Sequence, residues 1–240
     1  MKKTLIILFM SIFVIVNLNG CMFLVADALL SEDETTKIHS ENTDGTAENT
    51  EEITDSEVNS SDIEVLEEYT YSDGFWYTYH FVIIKNNSDK PVSISTSSLA
   101  YKSDDSLIST AEGSVDIIGP DATTIYYEAF ETEEEIEYYE TEMSIDENPY
   151  YDCPMADLSY VKTDIEDGAI FQVTNNGTKP VDFVEGYVLF IKDGKVVYWE
   201  SNYFTDDDSE IKPSKTISKQ FSAYEEFDTI KFYLTGRISE

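Results

Sequence analysis

Apolar and polar residues change their rhythm three times along the chain. From Leu5 to Val16 the residues are largely apolar, behind a short Met1-Lys2-Lys3 start. From Ser31 to Asp62 the chain is mainly Glu, Asp, Thr, Ser and Asn, with Ile38, Ala47, Ile53 and Val58 as scattered apolar residues. From about Ile63 the spacing becomes that of strands. Phe75, Tyr77, Tyr79, Phe81 and Ile83 fall on one side of an extended chain, and Trp76, Thr78, His80, Val82 and Ile84 on the other. A strand largely apolar on both faces belongs in the middle of a packed sheet. It ends at Lys85-Asn86-Asn87-Ser88-Asp89-Lys90-Pro91, a turn in which Asn and Asp tolerate left-handed backbone angles and Pro91 fixes φ entering the next strand. Val92, Ile94 and Leu99-Ala100-Tyr101 follow, with Lys102-Ser103-Asp104-Asp105 as the next turn. The pattern is a succession of short strands, without a helical period.

The strand pattern occurs twice. A shift of 89 residues, that between Pro91 and Pro180, sets Asn86-Asn87-Ser88-Asp89-Lys90-Pro91-Val92 on Asn175-Asn176-Gly177-Thr178-Lys179-Pro180-Val181. The match runs without a gap to Tyr101 on Phe190 and Asp104 on Asp193, and Leu107-Ile108 fall on Val196-Val197. After a further slip of four residues, Gly119-Pro120-Asp121-Ala122-Thr123 aligns with Lys212-Pro213-Ser214-Lys215-Thr216, and Ile136-Glu137-Tyr138-Tyr139 lands near Ile230-Lys231-Phe232-Tyr233. Turn chemistry and strand order repeat together, which predicts two copies of one unit of roughly 80 to 90 residues, the size of a small β-sandwich.

Each copy carries an Asn-Asn turn, a Lys-Pro-Val strand, an aromatic before a charged turn, and a later Pro followed three residues on by Thr. Together these resemble the immunoglobulin-like FxLYD-type domains of bacterial surface lipoproteins. The second copy carries the resemblance best, in Val188-Leu189-Phe190-Ile191-Lys192-Asp193-Gly194-Lys195-Val196-Val197; the first, with Tyr101-Lys102-Ser103-Asp104-Asp105-Ser106, lacks the turn glycine. The resemblance implies a non-catalytic β-sandwich and supplies no functional residue. The expected architecture is all-β, with two tandem small immunoglobulin-like β-sandwiches at 63–146 and 155–240. The connector is 147–154, where Pro149 and Pro154 push the residues before them to extended geometry.

The N-terminal segment sets the expected location. Two lysines precede an apolar run of about a dozen residues, long enough for a signal and short of the roughly 20 needed to span a bilayer. It closes on Leu18-Asn19-Gly20-Cys21. This resembles a bacterial lipoprotein signal, whose box reads Leu, small, Gly or Ala, Cys. Asn19 is larger and more polar than that pattern. The resemblance implies cleavage between Gly20 and Cys21 after residues 1–20, and a lipid on the Cys21 thiol that anchors the chain to the extracytoplasmic face of the cell membrane. An uncut helix from Thr4 to Leu30 is the alternative, since Met22 to Leu30 is also mostly apolar, although Asn17, Asn19 and Asp27 would then lie at membrane depth. Both readings place everything after Leu30 outside. Residues 21–62 then form an apolar stub and a disordered acidic linker, too polar to offset the entropy of ordering and stretched by its own charge.

Composition narrows the partners. The 240 residues carry 15 Lys plus Arg against 49 Asp plus Glu, a net charge of −34 that becomes −36 when removal of residues 1–20 deletes Lys2 and Lys3. Such a surface repels phosphate backbones within a Debye length of about 8–10 Å, which excludes nucleic acid as a partner. The 17 Tyr and 13% aromatic content are too high for a wholly disordered chain and favour a β-rich folded part.

Candidate chemistry is sparse. The two histidines, His39 in the acidic linker and His80 between Tyr79 and Phe81, stand beside no recognisable nucleophile motif, and no phosphate loop or His-Glu-x-x-His occurs. Runs such as Glu133-Glu134-Glu135 are expected among so many acids. Asp206 to Glu210 could serve as a Ca²⁺ loop but lacks the alternating spacing that wraps one ion, so a solvated loop is the simpler reading. Cys153, in the connector, could bridge to a second molecule if its thiol is exposed, or could be a buried small hydrophobe. Trp76, Tyr77, Tyr138, Tyr139, Tyr150, Tyr151, Tyr198, Trp199 and Tyr203 could form a sugar- or peptide-binding surface, and more commonly such rings fill cores and cover sheets. The expectation is a cell-envelope binding or spacer module with a protein or cell-wall partner and no cofactor, in preference to a transporter's substrate-binding lipoprotein. The alternative is an envelope enzyme or cation-dependent adhesin with an unrecognised acidic site.

Overall fold

The computed structural model describes residues 58–148, 150–205 and 209–239. The signal segment, Gly20, Cys21, His39, most of the acidic linker and Asp206 to Asp208 lie outside the described residues. Every described strand belongs to one compact unit, Ile53–Glu240. The first set of strands is β1 (Ile63–Ser72), β2 (Tyr77–Asn86), β3 (Val92–Tyr101), β4 (Leu107–Ile118), β5 (Thr123–Glu131) and β6 (Tyr138–Glu147). A two-residue β7 (Tyr151–Asp152) follows, then β8 (Leu158–Ile165), β9 (Gly168–Asn175), β10 (Val181–Lys192), β11 (Lys195–Tyr203), β12 (Glu210–Ile211), β13 (Thr216–Ser222) and β14 (Thr229–Ser239). Among the described residues the fold is therefore all-β, and every pairing is antiparallel.

The pairing order recurs. The sheets β1-β2-β5 and β4-β3-β6 of the first set correspond to β8-β9-β13 and β11-β10-β14 of the second. Within each set the two sheets share an apolar core. Val82, Ile84, Val92, Ile94, Val115 and Ile118 fill the first, and Phe171, Val173, Val188, Phe190, Phe221 and Leu234 the second. A third core joins the sets: Phe81, Ile83 and Ile125 on the outer face of β1-β2-β5 meet Leu189, Ile191 and Val196 on the outer face of β11-β10-β14. Trp199 fills this seam, with its ring 5.0–5.2 Å from those of Tyr79, Phe81 and Tyr127. Four sheets are thus stacked in series, and the two inner ones have no wet face. That is why β2, as expected, and β10 as well, are apolar on both sides.

The Asn-Asn turns work by a different device from the one expected. Neither takes positive φ. Instead Asn86 and Asn175, both fully buried, act as hubs. The Asn86 amide donates to the carbonyls of Lys90 (2.8 Å) and Ile118 (3.1 Å), and its oxygen accepts from the Ser88 N–H. Asn175 repeats this with Lys179 and Ile211, both at 2.8 Å, and the Gly177 N–H. The side chain closes its own turn and ties it to a strand far along the chain. Left-handed angles appear one hairpin later: Asp193 and Gly194 (φ 50° and 78°) both adopt them, as a two-residue turn of type I′ requires, while Asp105 (φ 63°) carries that burden in the glycine-less first copy.

The register also departs from the gapless match. Ala100 and Tyr101 pair with Ser109 and Leu107, whereas their counterparts in the second ladder, paired with Tyr198 and Val196, are Phe190 and Ile191. The shift there is 90 residues. The extra residue sits at a bulge between Asp182 and Glu185, where Phe183 takes φ 50°. A bulky residue held left-handed costs about 1–3 kcal/mol. Its effect is to flip the faces of the strand, so that Val184, Val188 and Phe190 enter the core and Glu185, Tyr187, Leu189 and Ile191 look toward the first set.

The connector is less independent than its prolines suggest. Tyr151 and Asp152 pair with Ser239 and Ile238 of β14, and Asn148 donates to the Asp116 carbonyl at 2.9 Å. Cys153 is partly buried, so close to Gly119 that a Cβ there would lie 2.8 Å from its own, and burial pushes its thiol pKa up. That is the small-hydrophobe reading, and it replaces the exposed bridging thiol.

Candidate functional site

Two features stand out where the sets meet: a buried charged cluster in the first core and an open cleft in front of it. The cluster is built on a cross-strand pair, His80 of β2 opposite Glu128 of β5. They are 4% and 0% exposed. The Glu128 carboxylate accepts hydrogen bonds from Thr96 Oγ1 (2.6 Å) and Ser98 Oγ (2.7 Å), and lies 3.1 Å from His80 Nδ1. Burial raises its pKa, but the bonds from His80, Thr96 and Ser98 outweigh that and hold it below the ordinary carboxylate value. His80 Nε2 lies 3.4 Å from Glu68 on β1, and the imidazole stacks on Tyr139 with centroids 4.1 Å apart and planes within 6°.

The second copy provides an internal comparison. The pair in the place of His80 and Glu128 is Ala169 and Phe221, also directly opposed and fully or almost fully apolar in its surroundings. The fold therefore accepts an apolar pair at this site, and the first copy alone carries charge there. Gly113 makes room for it: a Cβ would lie 2.8 Å from both Thr96 Oγ1 and Tyr126 Cδ2, and 3.1 Å from Glu128 Cγ. Chemically the cluster is self-contained. Ser98 bonds the carboxylate and Thr141 (2.6 Å), with no imidazole on its oxygen of the kind an activated nucleophile requires.

Thr96, Gly113 and Tyr126 also line the cleft, a space of about 1140 Å³ open to solvent. Its near wall is β4 from Glu112 to Ile117 together with Ile125 and Tyr127 of β5; its far wall is Phe183, Glu185 and Tyr187 of β10, Tyr203 of β11 and the end of β14. Glu185 accepts from the Tyr187 hydroxyl at 2.7 Å and is also bonded by Tyr203. The Glu185 charge foremost, and burial next, raise the Tyr203 pKa; burial foremost raises that of Tyr187. Arg237 closes one end, its Nη1 2.5 Å from Asp116 and its guanidinium 4.6 and 4.7 Å from the Tyr151 and Phe183 ring centres. Toward the other end of β14 the Lys231 ammonium pairs with Glu67 of β1 and sits over the Tyr69 ring. These two ion pairs bridge the sets.

The sequence-predicted residues divide accordingly. His80 is a buried sheet residue, while Cys21 and Gly20 lie outside the described residues. Of the Asp206 to Glu210 run, Ser209 (φ 62°) and Glu210 are described, and Glu210 lies 3.6 Å from Lys212. Among the described residues no group of His, Cys, Asp or Glu is arranged to hold a metal ion. Of the aromatics, Trp199 packs in the seam, Tyr138 on Tyr101 and Tyr198 on Phe190, while Tyr203 and Tyr151 reach the cleft or its edge. Trp76 and its neighbour Phe75 stand out from the β1–β2 hairpin, 65% and 71% exposed, on a turn held by the Asp73 carboxylate, which accepts from the N–H groups of residues 75 to 77. Glu128 and Glu185 were not singled out by sequence. The usable signal for Glu128 was a charge standing where the aligned copy has a phenylalanine. No family model and no curated protein sequence matches the chain.

Proposed function

We propose that the protein is a non-catalytic binding module of the bacterial cell envelope, held by lipid at Cys21 on the extracytoplasmic face of the membrane. In this reading residues 21–62 are its acidic spacer, and two tandem immunoglobulin-like sandwiches of the FxLYD type, 63–146 and 155–240, carry the binding surface. The observation that supports it most is the cleft between the two sets, walled by strands of both and backed by the apolar seam that joins them. Pre-formed concave sites between packed bodies are where ligands bind at least cost in reorganisation.

The test has two arms. Cells expressing the full chain and fed an alkyne-tagged palmitate should label the wild type and leave Cys21→Ala unlabelled and released from the membrane. A photoreactive amino acid placed at Tyr203, at the cleft rim, should give crosslinked products in intact cells that the same residue at Tyr160, outside the cleft, does not. Equal labelling of both forms would overturn the anchor, and indistinguishable crosslinking at the two positions would overturn the binding site.

A further inference from the structure

We infer that the cleft between the two sets binds a cation, an ammonium or guanidinium group carried on an apolar stem. This rests on the reading of the protein as a binding module and specifies what it takes. Once Arg237 is assigned to Asp116, the remaining charged groups of the cleft are Glu112, Glu142 and Glu185. Glu112 and Glu142 lie at the outer rim, on the face of β4-β3-β6 turned away from Thr96, so the carboxylate beside the rings is Glu185. An anion there would meet its charge, and an uncharged apolar ligand would strip it of water without replacing it. A cation does neither. Carboxylates are common on this chain, and what distinguishes Glu185 is how it comes to be there. The Phe183 bulge, which the first copy lacks, turns Glu185 and Tyr187 out of the parity of their strand and toward the first set.

The bulge brings the carboxylate to an aromatic corner. The Tyr127 and Tyr187 rings stand 6.1 Å apart at 56°, and Tyr203 bonds Glu185 from the neighbouring strand. Ring faces beside a carboxylate are the pair of features that recognises an alkylammonium or guanidinium, the rings taking the stem and the spread charge while the carboxylate takes the N–H groups. Lysine and arginine side chains of an extended peptide and free polyamines share this chemistry.

Calorimetric titration of the full-length chain in detergent micelles, at about 150 mM salt to screen diffuse attraction, tests the assignment with spermidine and with trilysine as probes. One saturable site is expected for at least one probe. Glu185→Gln should weaken it roughly 10- to 100-fold, the loss of one charge-assisted hydrogen bond. Glu166→Gln, the same change of charge in the β8–β9 turn away from the cleft, should leave it within about two-fold. The tighter probe then identifies the source as peptide or polyamine. Tyr203→Phe, which keeps the ring and removes only a hydroxyl, is the second variant should Glu185→Gln fail to fold by circular dichroism; it too should weaken binding. Equal losses in Glu185→Gln and Glu166→Gln, non-saturating heats, or no binding of either probe would overturn the inference. A Tyr203 crosslink without cation binding would leave the module reading standing and refute this one alone.

Discussion

Replacing Glu128 by alanine removes the one acceptor shared by three buried donors. Ser98 keeps Thr141 as a partner at 2.6 Å, so the loss falls on His80 and Thr96, each 4% exposed. A buried donor left without its acceptor costs about 1–3 kcal/mol, and two such donors face Glu128 here. The expected loss for Glu128→Ala is therefore about 2–5 kcal/mol. The double change His80→Ala with Glu128→Phe installs the Ala169–Phe221 pair of the second copy. It removes donor and acceptor together, leaves the Thr96 hydroxyl with Tyr126 alone as its partner, and should cost about 1–2 kcal/mol. Urea unfolding followed by tryptophan fluorescence reads both, since Trp199 lies in the seam; a change of midpoint at constant slope reports stability directly. A loss below about 1 kcal/mol for the single variant, or a double variant as unstable as the single, would refute the reasoning.

Three further outcomes follow from the same geometry. Because the folded-state pKa of Glu128 is depressed, the unfolded chain takes up the proton first. The contribution of Glu128 is complete above the unfolded carboxylate value of about 4.3 and declines as pH falls through the lower folded value; acid unfolding should therefore be shallower in the His80→Ala, Glu128→Phe double variant, and identical acid profiles would contradict the assignment. Gly113→Ala should cost about 1–3 kcal/mol through overpacking against Thr96 and Tyr126, with a shift in the Thr96 and Glu128 resonances by NMR, whereas an unshifted spectrum would show that the strand yields without disturbing the cluster. Asn86→Ala and Asn175→Ala should each cost about 2–3 kcal/mol and agree within about 1 kcal/mol, and a several-fold disparity in denaturant measurements would show that the two hubs are not equivalent.

Much of the fold is legible in the residues. The two-faced strand Tyr77 to Ile84 announces a sheet with packing on both sides, although the alternation also extends it to Phe75 and Trp76, which stand exposed on the β1–β2 turn, and the spaced Asn-Asn and Lys-Pro-Val signals announce the repeat. What escapes is set by single residues whose effect is geometric. Nothing in Asp182-Phe183-Val184 marks a bulge, because any sequence of that composition extends regularly until tertiary packing forces an extra residue out, and the gapless match consequently runs one residue off beyond it. The role of Asn86 and Asn175 escapes for a related reason: an asparagine in a turn invites an explanation by backbone angle, while its use as a buried hub depends on Ile118 and Ile211, strands away. The His80–Glu128 pair spans 48 residues and is visible only when the copies are compared column by column. The seam could be anticipated from β2, but its partner surface on β10 depends on the bulge and so could not. The cleft inherits that same dependence.

The series of four sheets has an implication for assembly. The contact between the copies is heterologous: one copy offers its β1-β2-β5 face and the other its β11-β10-β14 face, and contacts of that kind propagate without limit unless something stops them. Here the outward surfaces differ in character from the joined ones. The outward side of β4-β3-β6 includes Ser95, Ser97, Glu112, Ser114, Glu142 and Ser144 beside Leu99 and the stacked Tyr101 and Tyr138, and that of β8-β9-β13 includes Val161, Thr163, Gln172, Ser218 and Gln220. The outward surfaces are thus mainly polar where the joining faces are apolar, as in the capping units of repeat arrays, with Val161 of β8 and Leu107 of β4 as exposed apolar exceptions.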